Sequence, residues 1–111
     1  MAKNKKLKAP TSRYSDPEAG ELELRGSLTL GARVEYAAAL GSGVNREDAA
    51  QRAVELLFEK LVVRWTVNGV ATRKQNELLA RYRAASAEER QFVREALRAH
   101  VGRLFPDIQV P

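Results

Sequence analysis

The sequence contains a single histidine, and its position decides which acid–base or metal chemistry is open to it. His100 lies at the edge of an apolar stripe, in the last turns of a predicted helix. A metal site needs several imidazole, thiolate or carboxylate ligands at suitable spacing, and the chain has neither a second histidine nor a cysteine. A cationic histidine near a helix C-terminus interacts favourably with the helix dipole. We therefore interpret His100 as a helix-terminal residue, and the sequence predicts no metal ligand.

Other residue types capable of catalysis also have ordinary structural explanations. The adjacent acids Glu47-Asp48 and Glu88-Glu89 begin predicted helices, where the dipole favours negative charge. Gly41-Ser42-Gly43 lacks the lysine and the preceding strand of a phosphate-binding loop. No serine lies in a nucleophile elbow. The sequence therefore predicts a protein without enzymatic activity and without a cofactor.

Two groups of basic residues are candidates for binding nucleic acid. Arg90, Arg94 and Arg98 follow each other at intervals of four and form a row on a helix, as in a recognition helix. Five of the 19 basic residues fall in the first 13 positions, so the rest of the chain carries 14 basic and 14 acidic side chains. A balanced body favours a solvated face over a DNA-binding one, and nucleic-acid binding is the alternative hypothesis. The basic residues of the N-terminal group are Lys3, Lys5, Lys6, Lys8 and Arg13.

Large apolar side chains supply a hypothesis for a protein-binding surface. Trp65, the only tryptophan, is interpreted as a core anchor, with an interface anchor as the alternative because tryptophan is enriched at binding hot spots. Leu78 and Leu79 stand side by side on a short predicted helix, which gives it a wider stripe than one core contact needs. The candidate partner-binding residues are Trp65, Val67, Leu78, Leu79 and Tyr82.

Length and composition indicate one small domain preceded by an arm. A chain of 111 residues with 44% apolar and 30% charged residues is typical of a single globular domain. Residues 1–20 are rich in lysine and poor in apolar residues, so we expect a disordered basic arm there and a folded domain over 21–111. No apolar run reaches the length of a membrane span, and no secretory signal is recognisable. We expect a cytoplasmic protein with no membrane contact.

The elements that position these residues are read from hydrophobic periodicity and caps, and they predict a mainly α fold. Thr29 and Asn45 are predicted N-caps, and Thr72/Gln75 and Ser86/Glu89 have capping-box spacing. The first helix is expected to turn Val34, Ala37, Ala38 and Leu40 toward the core. Asn68-Gly69 is a strong hairpin signal. The predicted helices cover roughly 30–40, 46–63, 73–84 and 87–104, and a small strand pair covers 21–26 and 64–67.

The order of these features resembles the tail assembly chaperones of long-tailed bacteriophages. The resemblance covers Leu22 to Pro106 and is carried by a strand leading into Leu28-Thr29-Leu30-Gly31-Ala32-Arg33, an apolar helix ending in Leu61-Val62-Val63-Arg64-Trp65-Thr66-Val67, and a C-terminal helix with Phe92-Val93-Arg94-Glu95-Ala96-Leu97. Ala85-Ser86-Ala87-Glu88-Glu89 opens that last helix. The resemblance implies a small, mostly helical, non-enzymatic protein of the host cytoplasm that keeps the tape measure protein soluble and helps to recruit tail tube subunits.

Overall fold

The computed structural model describes residues 10–111 and places them in eight elements of secondary structure. Two strands come first, followed by two helices, two more strands and two more helices. The four strands form one antiparallel sheet in the order β1-β2-β3-β4. The elements are β1 (Thr11–Asp16), β2 (Gly20–Arg25), α1 (Leu30–Leu40), α2 (Arg46–Leu61), β3 (Val62–Val67), β4 (Val70–Thr72), α3 (Gln75–Arg83) and α4 (Ala87–Leu104).

The prediction of a mainly α fold with a small strand pair is wrong. Of the described residues 53% are helical and 21% lie in strands, so the fold is mixed α/β. The prediction missed β1, because its sequence TSRYSD contains one large apolar side chain and looks like a solvated arm. As the edge strand of the sheet, β1 needs to bury only one face, and Tyr14 packs there against the core. Residues 10–20 are therefore part of the fold, whereas Lys3, Lys5, Lys6 and Lys8 lie outside the described residues.

The predicted pairing of the segments near 21–26 and 64–67 is present as the β2–β3 ladder. Its register shifts between Glu23 and Leu24, which oppose Arg64 and Val62 respectively and leave Val63 without a partner. This bulge matters because Val62 and Trp65 are three residues apart and would face opposite sides of a regular strand. With the extra residue between them, both side chains are buried on the helix-covered side of the sheet.

Two tight turns close the β1–β2 and β3–β4 hairpins. Asn68 and Gly69 both have positive φ, 51° and 79°, as a type I′ turn requires, which explains why the Asn-Gly pair is a hairpin signal. At the other hairpin the side chain of Asp16 accepts hydrogen bonds from the amides of Glu18 and Ala19. Gly20 follows with φ of 92°, and a Cβ there would lie 2.0 Å from the carbonyl oxygen of Thr66. Glycine is therefore required where β2 comes closest to β3.

Three of the four predicted N-caps are confirmed. Thr29, Asn45 and Ser86 each accept a hydrogen bond from a first-turn amide, and Ser86 with Glu89 forms the complete capping box. The predicted Thr72/Gln75 box is wrong, because Thr72 lies in β4 and Lys74 takes the N-cap position without a side-chain hydrogen bond. The helix predicted for 46–63 ends at Leu61, where the β-branched run starts the strand.

The core lies between the helices and one face of the sheet. Leu22 and Leu24 from β2 share this core with side chains of α2 and α4, the two longest helices. Phe58 of α2 stacks on Tyr82 and meets Trp65 edge-on, with ring centroids 4.9 and 6.2 Å apart. The opposite face of the sheet is polar and carries the ion pair between Arg64 and Glu23, 3.0 Å apart. A half-covered antiparallel sheet of this kind has alternating apolar and polar residues along each strand.

His100 is a core residue, so its interpretation as a helix-terminal residue is wrong. Its side chain is 0% exposed and lies between β1, β2 and α4. One ring nitrogen faces the hydroxyl of Tyr14 and the other faces the carbonyl oxygen of Arg25, each at 2.9 Å. The histidine therefore joins β1 and β2 to the C-terminal helix.

Candidate binding site

A groove lies between α2 and α4 on the part of the chain that the structure describes. Its volume is about 730 Å³. Ala50 and Val54 of α2 contribute apolar surface, and the ring of Tyr82 closes the groove between the two helices. The α4 side carries Arg90, Arg94 and Arg98, the row that the sequence singled out. We call this surface the arginine groove.

Arg90, Arg94 and Arg98 of α4 have no side-chain carboxylate within salt-bridge distance among residues 10–111. Arg94 donates a hydrogen bond to the side-chain oxygen of Gln91, and Arg98 donates one to the main-chain oxygen of Pro111. The donor–acceptor distance is 2.9 Å in both. Arg83, by contrast, pairs with Glu55 on the α2 side at 2.7 Å. Because Glu55 is already neutralised by Arg83, its charge is not available to the row. The groove therefore carries a local cationic excess although the body of the chain is almost balanced in charge.

Tyr82 connects the arginine groove to the core. The residue is only 5% exposed, and it lines the groove beside α2 and α4. Burial raises the pKa of Tyr82 above its ordinary value of 10.0, and the positive charges of Arg94 and Arg90 oppose that shift. The hydroxyl consequently stays protonated near neutral pH and is available as a donor at the groove wall.

The structure does not bring the predicted partner-binding residues together on a surface. Trp65, Leu78 and Tyr82 are 1%, 3% and 5% exposed, and Val67 and Leu79 are half-buried. The interpretation of Trp65 as a core anchor is confirmed, since its indole nitrogen donates to the carbonyl oxygen of Ala19 over 2.9 Å. The guanidinium carbon of Arg81 lies 4.8 Å from the centroid of the Trp65 ring. These five residues hold the sheet to α3 and present little area to a partner.

The exposed apolar surface lies on α1 instead. Leu30 is 76% and Val34 61% exposed, and Ala37 and Ala38 beside them are also exposed. The expectation that Val34, Ala37, Ala38 and Leu40 face the core is therefore wrong. Ala32 and Tyr36 are buried against α2 in their place, and the Tyr36 hydroxyl donates to the carbonyl oxygen of Gln109. We call Leu30, Val34, Ala37 and Ala38 the α1 outer face.

A sequence signal for the α1 outer face existed in the composition of the helix. LGARVEYAAAL has apolar residues all around, so periodicity does not say which side is buried. Tyr36 is the largest side chain in this helix, and its burial decides the orientation. Both charged residues are engaged at the flanks, Arg33 with Asp107 at 2.9 Å and Glu35 with Lys60 at 3.1 Å. Neither charged side chain belongs to the α1 outer face.

Residues 10–111 contain neither a metal-binding cluster nor a membrane-spanning helix. No group of three or more histidine, aspartate or glutamate side chains there is arranged to hold a metal ion. None of the helices in this range combines the length and apolarity of a membrane span.

Comparison of the chain with models of protein families, with curated proteins and with solved structures gives no match. The functional argument therefore depends on the two surfaces, the arginine groove and the α1 outer face, and on the resemblance carried by the sequence pattern.

Proposed function

We propose that this chain is a non-catalytic assembly chaperone or adaptor of the phage tail type. In this role it binds a tape measure protein in the host cytoplasm and helps to bring tail tube subunits to it. The α1 outer face is the observation that carries the proposal. The order of strand, capped helix and tryptophan segment that resembles tail assembly chaperones supports it independently.

The α1 outer face is suited to an amphipathic helix of a partner protein. A helix that is apolar on all sides is normally buried on all sides, and α1 is covered on only one side within the described chain. Leu30 and Val34 project at one end, whereas Ala37 and Ala38 are small and allow a second helix axis to approach closely. An apolar helix face of this kind takes up the apolar stripe of a helical partner. Tape measure proteins, which the resemblance implies as partners, supply long helices.

Co-expression tests this function directly. A long helical tape-measure-type protein is expressed alone and together with the chain, and its soluble fraction is compared. We expect the chain to raise that fraction, and we expect Val34→Glu to remove the gain because a carboxylate would be buried in the contact.

The matched control is Val70→Glu, which places the same charge at an equally exposed valine in β4. This variant should keep the full gain in partner solubility. If the unmodified chain leaves partner solubility unchanged, or if both variants lose the effect equally, the chaperone proposal is wrong.

A further inference from the structure

The arginine groove is a second surface, and what it binds can be argued without the chaperone proposal. We propose that the arginine groove binds an acidic polypeptide segment whose carboxylates pair with Arg90, Arg94 and Arg98. The proposal assigns to the chain a partner contact that is polar and sensitive to salt, in contrast to the apolar contact on α1.

Charge is the first argument for an acidic occupant. Three guanidinium groups lie along one helix without a side-chain carboxylate partner among residues 10–111, while Glu55, one of the acidic residues that line the groove, is paired with Arg83. Guanidinium groups form bidentate pairs with carboxylates, and such pairs are stronger than hydrogen bonds between neutral groups. The groove therefore supplies three carboxylate-binding positions in a row.

Spacing is the second argument. Residues four apart on an α-helix are separated by about 6 Å along its axis, so the row extends over about 12 Å. Alternate residues of an extended peptide are about 6.6 Å apart and point to the same side. A segment with acidic residues at alternate positions can thus place one carboxylate at each arginine. The partly exposed Ala50 in the groove lining offers apolar surface to an intervening side chain.

A peptide fits this groove better than a nucleic acid does. At one end of the groove Arg98 already donates to a main-chain oxygen of this chain, that of Pro111. The opposite wall carries Glu47, whose carboxylate would repel a continuous phosphate backbone but leaves the α4 side free for discrete carboxylates. Tyr82 also lines the groove, and a phenolic hydroxyl can donate a hydrogen bond to a carboxylate or a peptide carbonyl.

Binding of a short labelled peptide tests the proposal. The probe is an N-acetylated peptide with glutamate at alternate positions, and the reference probe has glutamine at the same positions. Fluorescence anisotropy should show binding of the glutamate peptide only, weakening as salt is added. The variant carrying Arg90→Gln, Arg94→Gln and Arg98→Gln should bind at least tenfold more weakly.

The matched control carries Arg13→Gln, Arg46→Gln and Arg73→Gln, which remove the same charge from exposed positions outside the groove. It should bind the glutamate peptide within about twofold of the unmodified chain. A second groove variant, with Arg90→Glu, Arg94→Glu and Arg98→Glu, should instead bind a peptide that has lysine at the alternate positions. That result would show that the altered protein is folded and that charge pairing is responsible.

Two results would overturn the proposal. Equal weakening in the groove variant and the control would mean that only net charge matters. Preferential binding of a single-stranded oligonucleotide, lost in the groove variant, would assign the arginine groove to nucleic acid.

Discussion

The hydroxyl of Tyr14 donates a hydrogen bond to Nδ1 of His100 over 2.9 Å. The direction follows from the other ring nitrogen, because Nε2 lies 2.9 Å from the carbonyl oxygen of Arg25, which only accepts. Nε2 must therefore carry the proton, and Nδ1 must accept. Arg103 in turn donates to the Tyr14 hydroxyl over 3.1 Å, so the buried imidazole is fully satisfied in its neutral form. This network attaches the edge strand β1 to α4.

Stability should decrease as the pH falls below 6.5. Burial lowers the pKa of His100 below its ordinary value of 6.5, and the nearby charge of Arg103 lowers it further, against the opposing effect of the Arg25 carbonyl. The unfolded chain therefore takes up the proton at higher pH than the folded chain, and protonation favours unfolding. Urea midpoints at pH 7.5 and 5.5 measure the loss.

His100→Gln is the control for this pH dependence, because His100 is the only histidine in the chain. The variant should be less stable at every pH but should lose the decrease between pH 7.5 and 5.5. If its urea midpoint falls as much as that of the unmodified chain, another group is responsible.

Tyr14→Phe should destabilise the fold by about 1–3 kcal/mol, because it removes the donor to a buried ring nitrogen and an acceptor for Arg103. Urea unfolding gives the free-energy change. Arg13→Gln is the matched control on the same strand, since Arg13 is exposed and its replacement should leave stability within about 0.5 kcal/mol. Equal effects of the two substitutions would contradict the described hydrogen-bond network.

Three glycine-to-alanine substitutions should change the free energy of unfolding in an order set by the backbone φ and by the space around the new Cβ. Gly20→Ala should cost the most, well above 1 kcal/mol, because both the positive φ and the carbonyl of Thr66 oppose a Cβ. Gly69→Ala has the positive φ but no neighbouring atom within 4 Å, so it should cost about 1 kcal/mol. Gly102→Ala lies in α4 with open space and should stabilise the protein by about 0.5–1 kcal/mol. Thermal unfolding of the three variants checks the order, and a Gly69→Ala variant as unstable as Gly20→Ala would be inconsistent with it.

The helix caps give a further prediction. Ser86→Ala removes the α4 capping box and should cost about 1 kcal/mol, whereas Thr72→Ala should leave the N-terminus of α3 unaffected because Thr72 is not its cap. Lys74→Ser should stabilise α3 by about 0.5–1 kcal/mol, since Lys74 occupies an N-cap position without a side-chain hydrogen bond. Urea midpoints test all three variants. If Thr72→Ala loses as much stability as Ser86→Ala, Thr72 and not Lys74 is the N-cap of α3.

Local signals predicted the elements with strong caps and turns, and they failed where tertiary contacts decide. Ser86, Asn45 and the Asn68-Gly69 turn determine their own surroundings, so they could be identified from neighbouring residues alone. β1 could not, because its burial depends on a hydrogen bond between residues 86 positions apart. The orientation of α1 depends on Tyr36 reaching Gln109, which no helical periodicity records.

The candidate site was predictable in part for the same reason. The arginine row of α4 follows from spacing along one helix, but the groove exists only because α2 and Tyr82 form its other walls. The pairing of Glu55 with Arg83, which leaves the row uncompensated, connects residues 28 positions apart. The surface assignment of Trp65, Leu78 and Tyr82 could not be decided from apolar character, since core and interface residues have the same composition.

The direct passage from Leu61 at the end of α2 to Val62 at the start of β3 restricts how this chain can vary in length. One residue inserted there would turn every β3 side chain to the opposite side of the sheet and expel Trp65 from the interior. Residues 41–45, which join α1 to α2 and include the almost fully exposed Val44, carry no such constraint. Insertions and deletions among related chains should accordingly accumulate in that loop and be excluded from the helix–strand junction.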